Sequence, residues 1–66
     1  MQRIPVSSSN LSSVGYDPMN RVLEIQFNSG RIYSYSGVPV SIYQGLMNAS
    51  SKGSYFAAYI KNNYPY

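Results

Sequence analysis

Apolar and polar residues alternate along the segment 21–27, which reads Arg-Val-Leu-Glu-Ile-Gln-Phe. This period of two is typical of a strand with one buried face. A second strand is predicted at 31–35, after a turn at 28–30. Another is predicted at 12–16, because Asp-Pro-Met-Asn at 17–20 has the residues of a type I turn. Strands joined by short turns predict an antiparallel meander of three strands.

The apolar spacing changes to that of a helix after residue 40, at Ile42, Tyr43, Leu46 and Met47. We therefore expect a first helix from Val40 or Ser41, with an internal Gly45 that costs about 1 kcal/mol relative to Ala. The stretch 49–53 predicts a loop, and Ser54 is predicted to cap a second helix. The apolar stripe of that helix consists of Tyr55, Phe56, Tyr59 and Ile60.

These elements predict an α+β fold, a small three-stranded antiparallel β-meander followed by two helices packed on one face. We expect residues 1–66 to form a single domain, with residues 1–7 as a candidate flexible leader. A chain of 66 residues buries only about 60% of the surface that its unfolded form exposes.

Domains this short usually need a disulfide, a metal or a partner for stability. The chain has no Cys and no His, which excludes disulfides and removes the usual zinc ligands. Its two carboxylates, Asp17 and Glu24, are too few for a calcium or magnesium cage. Aromatic packing or self-association remains, so we expect a homo-oligomer with neither metal nor cofactor.

Charged residues make up 11% of the chain, less than half the usual share of about 25%. Eight residues are Tyr, twelve are Ser and six are Asn, which predicts a surface that binds through hydroxyls, amides and aromatic rings. The net charge of +3 is compatible with an anionic partner. No stretch is long and apolar enough for a membrane span, and no signal-peptide core follows Met1. We therefore expect a cytoplasmic protein with no membrane partner.

Several blocks of residues occur together in one order: Ser-Ser-Asn-Leu-Ser-Ser-Val-Gly-Tyr-Asp at 8–17, Tyr-Ser-Tyr at 33–35, Ser-Gly-Val-Pro at 36–39, Ser-Ser-Lys-Gly-Ser-Tyr-Phe at 50–56, Ile60, and Tyr-Pro-Tyr at 64–66. In these blocks the chain resembles the KTSC domain, which is named from the C-terminus of some lysyl-tRNA synthetases. That domain also occurs as free-standing proteins of bacteria and their phages. The resemblance implies an RNA-binding module with no catalytic activity. The chain departs from the family at Ser34, Asn62 and Asn63, where members often carry cations.

The sequence offers no convincing catalytic group. Without His or Cys, a general base near neutral pH would have to be a carboxylate, a lysine or a tyrosine. Asp17 lies in a predicted turn and Glu24 on the polar face of a strand. Ser51 and Lys52 are adjacent in a predicted loop, which is a poor arrangement for a nucleophile and its base. We expect that the protein is not an enzyme.

Tyr33 and Tyr35 lie two residues apart on a predicted strand and therefore share a face. If Ile32 points inward, the two rings form an exposed aromatic platform beside Arg31. If the tyrosines face the helices instead, they belong to the core, and the sequence leaves both arrangements open. Because stacking a base on an aromatic ring contributes about 1–3 kcal/mol, we predict Arg31, Tyr33 and Tyr35 as ligand-binding residues.

Ser50, Ser51 and Lys52 precede the second predicted helix, where backbone N–H groups and a lysine can hold a phosphate. The alternative is a capped loop with an exposed lysine. Three residues in the blocks that carry the resemblance complete the predicted ligand-binding set: Asn10, Tyr16 and Tyr55. For Tyr55, core packing is the competing interpretation.

Two functions of different classes follow from these residues. In the first, the domain is a non-catalytic binding module for a nucleotide-derived small ligand, a phage-type sponge that sequesters a nucleotide immune signal. In the second, it is a module that binds tRNA or single-stranded RNA. The five cations are spread along the chain. If three of them contacted one RNA strand, the salt slope, which is the change in log affinity with log salt concentration, would be only about −2. We therefore place the small ligand first, RNA second and a protein-interaction module third.

Overall fold

Four antiparallel strands form one sheet, and two helices follow them in the chain. These positions come from a computed structural model, which describes residues 2–66. The elements are β1 (Ile4–Pro5), β2 (Leu11–Asp17), β3 (Val22–Phe27), β4 (Ile32–Tyr35), α1 (Val40–Asn48) and α2 (Lys52–Tyr59). The strands lie in the order β1-β2-β3-β4, so each pairs with its neighbour in sequence. The predicted α+β meander is confirmed, with four strands instead of three.

The additional strand, β1, lies inside the segment 1–7 that the sequence predicts as a leader. Ile4 lies opposite Val14 and Pro5 opposite Ser13. Met1, the first residue of that predicted leader, lies outside the described residues. Two residues are too few to show an alternating pattern, and a proline is unusual in a strand except at a sheet edge. The strand was therefore missed.

A β-bulge in β2 places Leu11 and Val14 on the same face of the sheet. The register with β3 shifts between Leu11 and Ser13, and both apolar side chains are fully buried. Residues three apart would point to opposite faces in a regular strand, so the extra residue of the bulge allows both to enter the core.

The core lies between the sheet and the two helices. Its buried members are Leu11, Val14, Leu23, Ile25, Tyr35, Val38, Leu46, Phe56 and Ile60. Tyr35 is 3% exposed while Ile32 is 46% exposed, which places the side chains of Tyr33 and Tyr35 on the helix side. Of the two arrangements that the sequence leaves open, the structure therefore has the one in which the tyrosines face the helices.

The helix boundaries differ from the predicted ones at α2. Ser51, not Ser54, is the N-cap, since the Ser51 Oγ accepts a hydrogen bond from the backbone N–H of Ser54 at 3.4 Å. Both serines are suitable cap residues, but only Ser51 has the extended backbone that precedes a helix. The predicted loop at 49–53 is therefore too long, because Lys52 and Gly53 already belong to the helix. Within residues 2–66, neither helix is long and apolar enough to cross a membrane.

The turn predicted at 17–20 is confirmed. The Asp17 Oδ1 accepts hydrogen bonds from the backbone N–H groups of Met19, at 3.1 Å, and Asn20, at 3.3 Å. The Asn20 side chain also donates to Asp17 Oδ2, and these bonds hold the pKa of the Asp17 carboxyl below its ordinary value. The carboxylate thus closes the connection between β2 and β3.

Candidate ligand-binding site

A cleft of about 350 Å³ opens between β3, β4 and the end of α2. We call it the aromatic cleft, because five of its lining side chains are Phe27, Tyr33, Tyr35, Phe56 and Tyr66. The antiparallel register sets Tyr33 opposite Ile25 and Tyr35 opposite Leu23. Cross-strand partners share a face, so the two tyrosines lie on the same side as the core.

The rings around the cleft pack edge to face. Phe27 and Phe56 have centroids 5.3 Å apart and Tyr35 and Phe56 5.6 Å apart, with interplanar angles of 71° and 67°. Tyr33 meets Phe27 in the same way at 5.7 Å. Among the described residues, none of the ring pairs at this cleft is a parallel stack. Edge-to-face contacts are a favoured arrangement of aromatic pairs, so the rings that line the cleft also pack against one another.

Tyr66 forms an outer wall of the aromatic cleft. The backbone N–H of Ser36 donates to the carbonyl oxygen of Pro65 at 2.8 Å, which holds the segment 65–66 beside the end of β4. The Tyr66 ring then contacts Tyr33 at a centroid distance of 4.8 Å and Tyr35 at 5.6 Å. Because the Tyr66 side chain remains 76% exposed, it is the ring most accessible to a ligand.

Two cations, Arg31 and Lys61, line the same cleft. The Arg31 Nη1 donates to the Tyr33 hydroxyl at 3.4 Å, and this contact raises the pKa of the guanidinium above its ordinary value. A guanidinium is charged at neutral pH in any case, so Arg31 brings a positive charge beside the Tyr33 ring.

The carboxylates of the chain lie away from this cleft. Glu24 pairs with Arg3 at 2.5 Å, and Asp17 is bonded within the β2–β3 turn. Within residues 2–66, no Asp or Glu lines the aromatic cleft. The positive charges of Arg31 and Lys61 are thus not neutralised by an Asp or Glu side chain there, and the cleft favours an anionic ligand.

The structure brings only some of the predicted ligand-binding residues together. Arg31, Tyr33 and Tyr35 line the aromatic cleft. Asn10 lies in an adjoining cleft of about 410 Å³. Ser50, Ser51 and Lys52 line a third, polar cleft of about 340 Å³ together with Ser7, Ser8 and Ser9. The predicted residues therefore do not form a single site.

Three predicted ligand-binding residues have contacts within the fold. The Lys52 Nζ donates to the carbonyl oxygen of Ala49 at 3.2 Å and so caps the C-terminus of α1. Tyr16 stacks on Tyr43, with centroids 4.8 Å apart and an interplanar angle of 8°. Tyr55 lies against α1 at Gly45. Whether these three residues also bind a ligand stays a prediction.

Several cleft residues were not predicted from the sequence, namely Phe27, Ser29, Phe56, Lys61, Asn62 and Tyr66. Phe27 and Phe56 fit the apolar pattern of a strand and a helix, which indicates a core position and not a ligand site. Lys61 follows the buried Ile60 where α2 ends. In the sequence, Lys61 is distinguished only by following an apolar residue of the predicted helix stripe, which does not indicate a binding site.

The geometry defines a class of protein: a small α+β domain whose sheet and second helix flank an open aromatic cleft lined by two cations. The sequence model of the KTSC domain matches residues 7–64. The chain belongs to the KTSC domain family. This match indicates a small domain and no catalytic family.

Relatives of the chain include stand-alone proteins and parts of larger ones. An uncharacterized protein of Stutzerimonas stutzeri is 45% identical over 85% of this chain and 79% of its own length. A lysine–tRNA ligase of a Nostoc species is 40% identical over 88% of this chain, but the match spans only 10% of the ligase. The crystal structure of a KTSC domain protein from Yersinia pestis is similar with a TM-score of 0.95 and 52% identity, over 97% of this chain and 90% of that one.

Proposed function

We propose that this KTSC domain is a non-catalytic binding module for a small nucleotide-derived ligand. The observation that carries the proposal is the position of Arg31 and Lys61 in the lining of the aromatic cleft, with no Asp or Glu side chain beside them among the described residues. A nucleotide combines a planar ring with negative charge, and the cleft has complementary groups for both.

The size and chemistry of the aromatic cleft support this ligand class. Its volume of about 350 Å³ lies at the lower end of the range for small-molecule sites, which is about 300–1,000 Å³. A base that stacks on an exposed ring such as Tyr66 gains about 1–3 kcal/mol. The guanidinium of Arg31 is suited to a phosphate, because it can donate two parallel hydrogen bonds.

The proposal includes no catalysis. With neither His nor Cys in the chain, the groups available for proton transfer at neutral pH are few. Asp17 and Glu24 are both bonded elsewhere in the fold. A module that binds without chemistry can act by sequestration, and the role that we propose is a sponge for a nucleotide signal in the cytoplasm.

Calorimetric titration with a panel of nucleotides, including cyclic and ADP-ribose-type compounds, tests the proposal. We expect submicromolar binding of at least one compound, which is recovered intact after the protein is denatured. Replacing Tyr33→Ala should weaken that binding about tenfold, the equivalent of about 1.4 kcal/mol, whereas Tyr33→Phe keeps the ring and should bind normally. Chemical conversion of the ligand would contradict the non-catalytic part of the proposal.

RNA is the second candidate, and it is supported by the lysine–tRNA ligases among the relatives. In this chain the aromatic cleft contains two cations, which would give a salt slope of only about −1.4 on single-stranded RNA. If every small nucleotide fails to bind while RNA of about ten nucleotides or more binds with a much steeper slope, the RNA function replaces the small-ligand function.

A further inference from the structure

The aromatic cleft is one half of a larger depression. The adjoining cleft of about 410 Å³ shares four of its lining residues, Phe27, Ser29, Phe56 and Lys61. The two clefts therefore adjoin at these side chains. A ligand that crosses Phe27 and Lys61 would reach both halves.

The second half differs from the first in its chemistry. Apart from the shared residues, it is lined by Ser9, Asn10, Asn28, Gly53 and Ala57. We call it the amide cleft, since two asparagines line it. Among residues 2–66, its only aromatic lining is the two shared phenylalanines. Amides and hydroxyls are groups that bind a sugar or another polyhydroxylated moiety through hydrogen bonds.

The fold holds the two asparagines at this cleft. The Asn28 Nδ2 donates to the carbonyl oxygens of Ser8, at 3.2 Å, and Ser9, at 2.9 Å. The Asn10 Nδ2 lies so close to Gly53 that a β-carbon at that position would be 2.9 Å away. Gly53 thus leaves room for the Asn10 amide at the start of α2. Asn10 is exposed and lines the cleft, so its amide is accessible to a ligand.

Lys61 lies at the junction of the two halves. Lys61 lines both clefts. Among the described residues, the ion pair is between Arg3 and Glu24, so Lys61 has no carboxylate partner there. An ammonium group between an aromatic cleft and an amide cleft matches a negatively charged link between a planar ring and a polar group.

We propose that the ligand is a two-part nucleotide, with its base in the aromatic cleft, its phosphates at Lys61 and a second, sugar-like part in the amide cleft. Nucleoside diphosphate sugars and dinucleotides have this composition. The proposal rests on the proposed function and adds the amide cleft, Asn10 and Lys61 to the site.

The test compares two matched pairs of compounds by calorimetric titration, AMP with ADP-ribose and UMP with UDP-glucose. In at least one pair, the two-part compound should bind at least about tenfold more tightly than the mononucleotide. Asn10→Ala should reduce the affinity for the two-part compound about fivefold and leave that for the mononucleotide unchanged. Lys61→Gln should weaken both, because both carry a phosphate. Ser50→Ala, in the separate polar cleft, is the matched control and should change neither.

The outcomes separate this inference from the proposed function. If a mononucleotide binds and its two-part partner binds no more tightly, the inference is wrong and the proposed function stands. The same conclusion follows if Asn10→Ala weakens both members of a pair equally while its thermal stability is unchanged. If no nucleotide of any kind binds, both the inference and the proposed function are wrong.

Discussion

The ring of Tyr55 in α2 occupies the space beside α1 that a side chain at Gly45 would fill. A β-carbon at Gly45 would lie 2.6 Å from the Tyr55 Cζ and closer still to its hydroxyl oxygen. Real β-carbons do not approach other atoms so closely, so glycine at this position allows the contact between the two helices. This contact explains why a residue that disfavours helices lies in the middle of α1.

Gly45→Ala should therefore destabilise the protein by up to about 2 kcal/mol. Displacement of the Tyr55 ring should cost about 1–3 kcal/mol, as overpacking does elsewhere, and the better helix propensity of alanine offsets only part of it. In a Tyr55→Ala background the sign should reverse, with Gly45→Ala stabilising by about 1 kcal/mol. Urea unfolding of the four proteins in this cycle measures both effects. A stabilising Gly45→Ala in the presence of Tyr55 would contradict the contact.

Tyr16→Phe should destabilise the fold without affecting ligand binding. The Tyr16 hydroxyl donates to the carbonyl oxygen of the buried Val38 at 2.5 Å, and loss of such a bond costs about 1 kcal/mol. Chemical denaturation measures the loss. Tyr43→Phe, which keeps the ring stacked on Tyr16, is the control and should be nearly neutral. A change in ligand affinity for Tyr16→Phe would restore Tyr16 to the binding site.

The cations of the aromatic cleft should matter more for binding than the cations elsewhere. Arg31→Gln and Lys61→Gln should each weaken the binding of a nucleotide about tenfold, because both side chains line the cleft. Arg3→Gln removes the same charge from a residue that is paired with Glu24. Lys52→Gln removes it from a residue bonded to Ala49. Both controls should bind within about twofold of the original protein in a titration at moderate salt.

Equal losses for all four substitutions would indicate diffuse electrostatic attraction instead of a site. The sequence analysis predicts Lys52, and not Lys61, as a ligand-binding cation. We now expect the reverse, because the structure puts Lys61 and not Lys52 in the aromatic cleft.

The stability of the protein should fall at alkaline pH in a way that depends on Tyr35. Burial is the main reason why the pKa of the Tyr35 hydroxyl lies above its ordinary value of 10.0. The nearby Tyr66 and Tyr33 raise this pKa further. The folded state therefore holds this proton more tightly than the unfolded state does. The resulting stabilisation is complete below about pH 10 and is lost as the pH rises through the pKa of the folded protein.

Denaturation midpoints between about pH 8 and pH 11 test this dependence. Tyr35→Phe has no hydroxyl to ionise, so its stability should decline less steeply above about pH 10. Tyr59→Phe, at a side chain that is 53% exposed, is the control and should follow the original protein. Identical curves for all three proteins would exclude a contribution from Tyr35.

The isolated chain should self-associate at micromolar concentration. A domain of 66 residues without a disulfide has little core from which to draw stability, and association would cover further apolar surface. Sedimentation velocity should show a species heavier than the 7.4 kDa monomer. A clean monomer with a high melting temperature would contradict this expectation.

The sequence by itself predicted the local structure wherever one pattern dominated. The alternation in the segment 21–27 identified β3, and Leu23 and Ile25 are fully buried there. The Asp17 turn and the two helices were also predicted, because their signals lie within a few neighbouring residues. β1 and the N-cap of α2 were not, since two residues show no period and Ser51 and Ser54 are equally suitable caps.

The faces of β4 and the composition of the cleft were decided only by the tertiary structure. Both faces of β4 carry a large apolar or aromatic side chain, so its sequence alone cannot orient it. The pairing of Tyr33 with Ile25 turned the tyrosines towards the helices. Lys61 and Tyr66 line the aromatic cleft together with Arg31. They do so because the end of α2 and the segment 65–66 lie beside β4 in the folded protein. A binding site assembled from residues far apart in the chain leaves no periodic pattern in the sequence, because its members meet only when the sheet and the helices pack together.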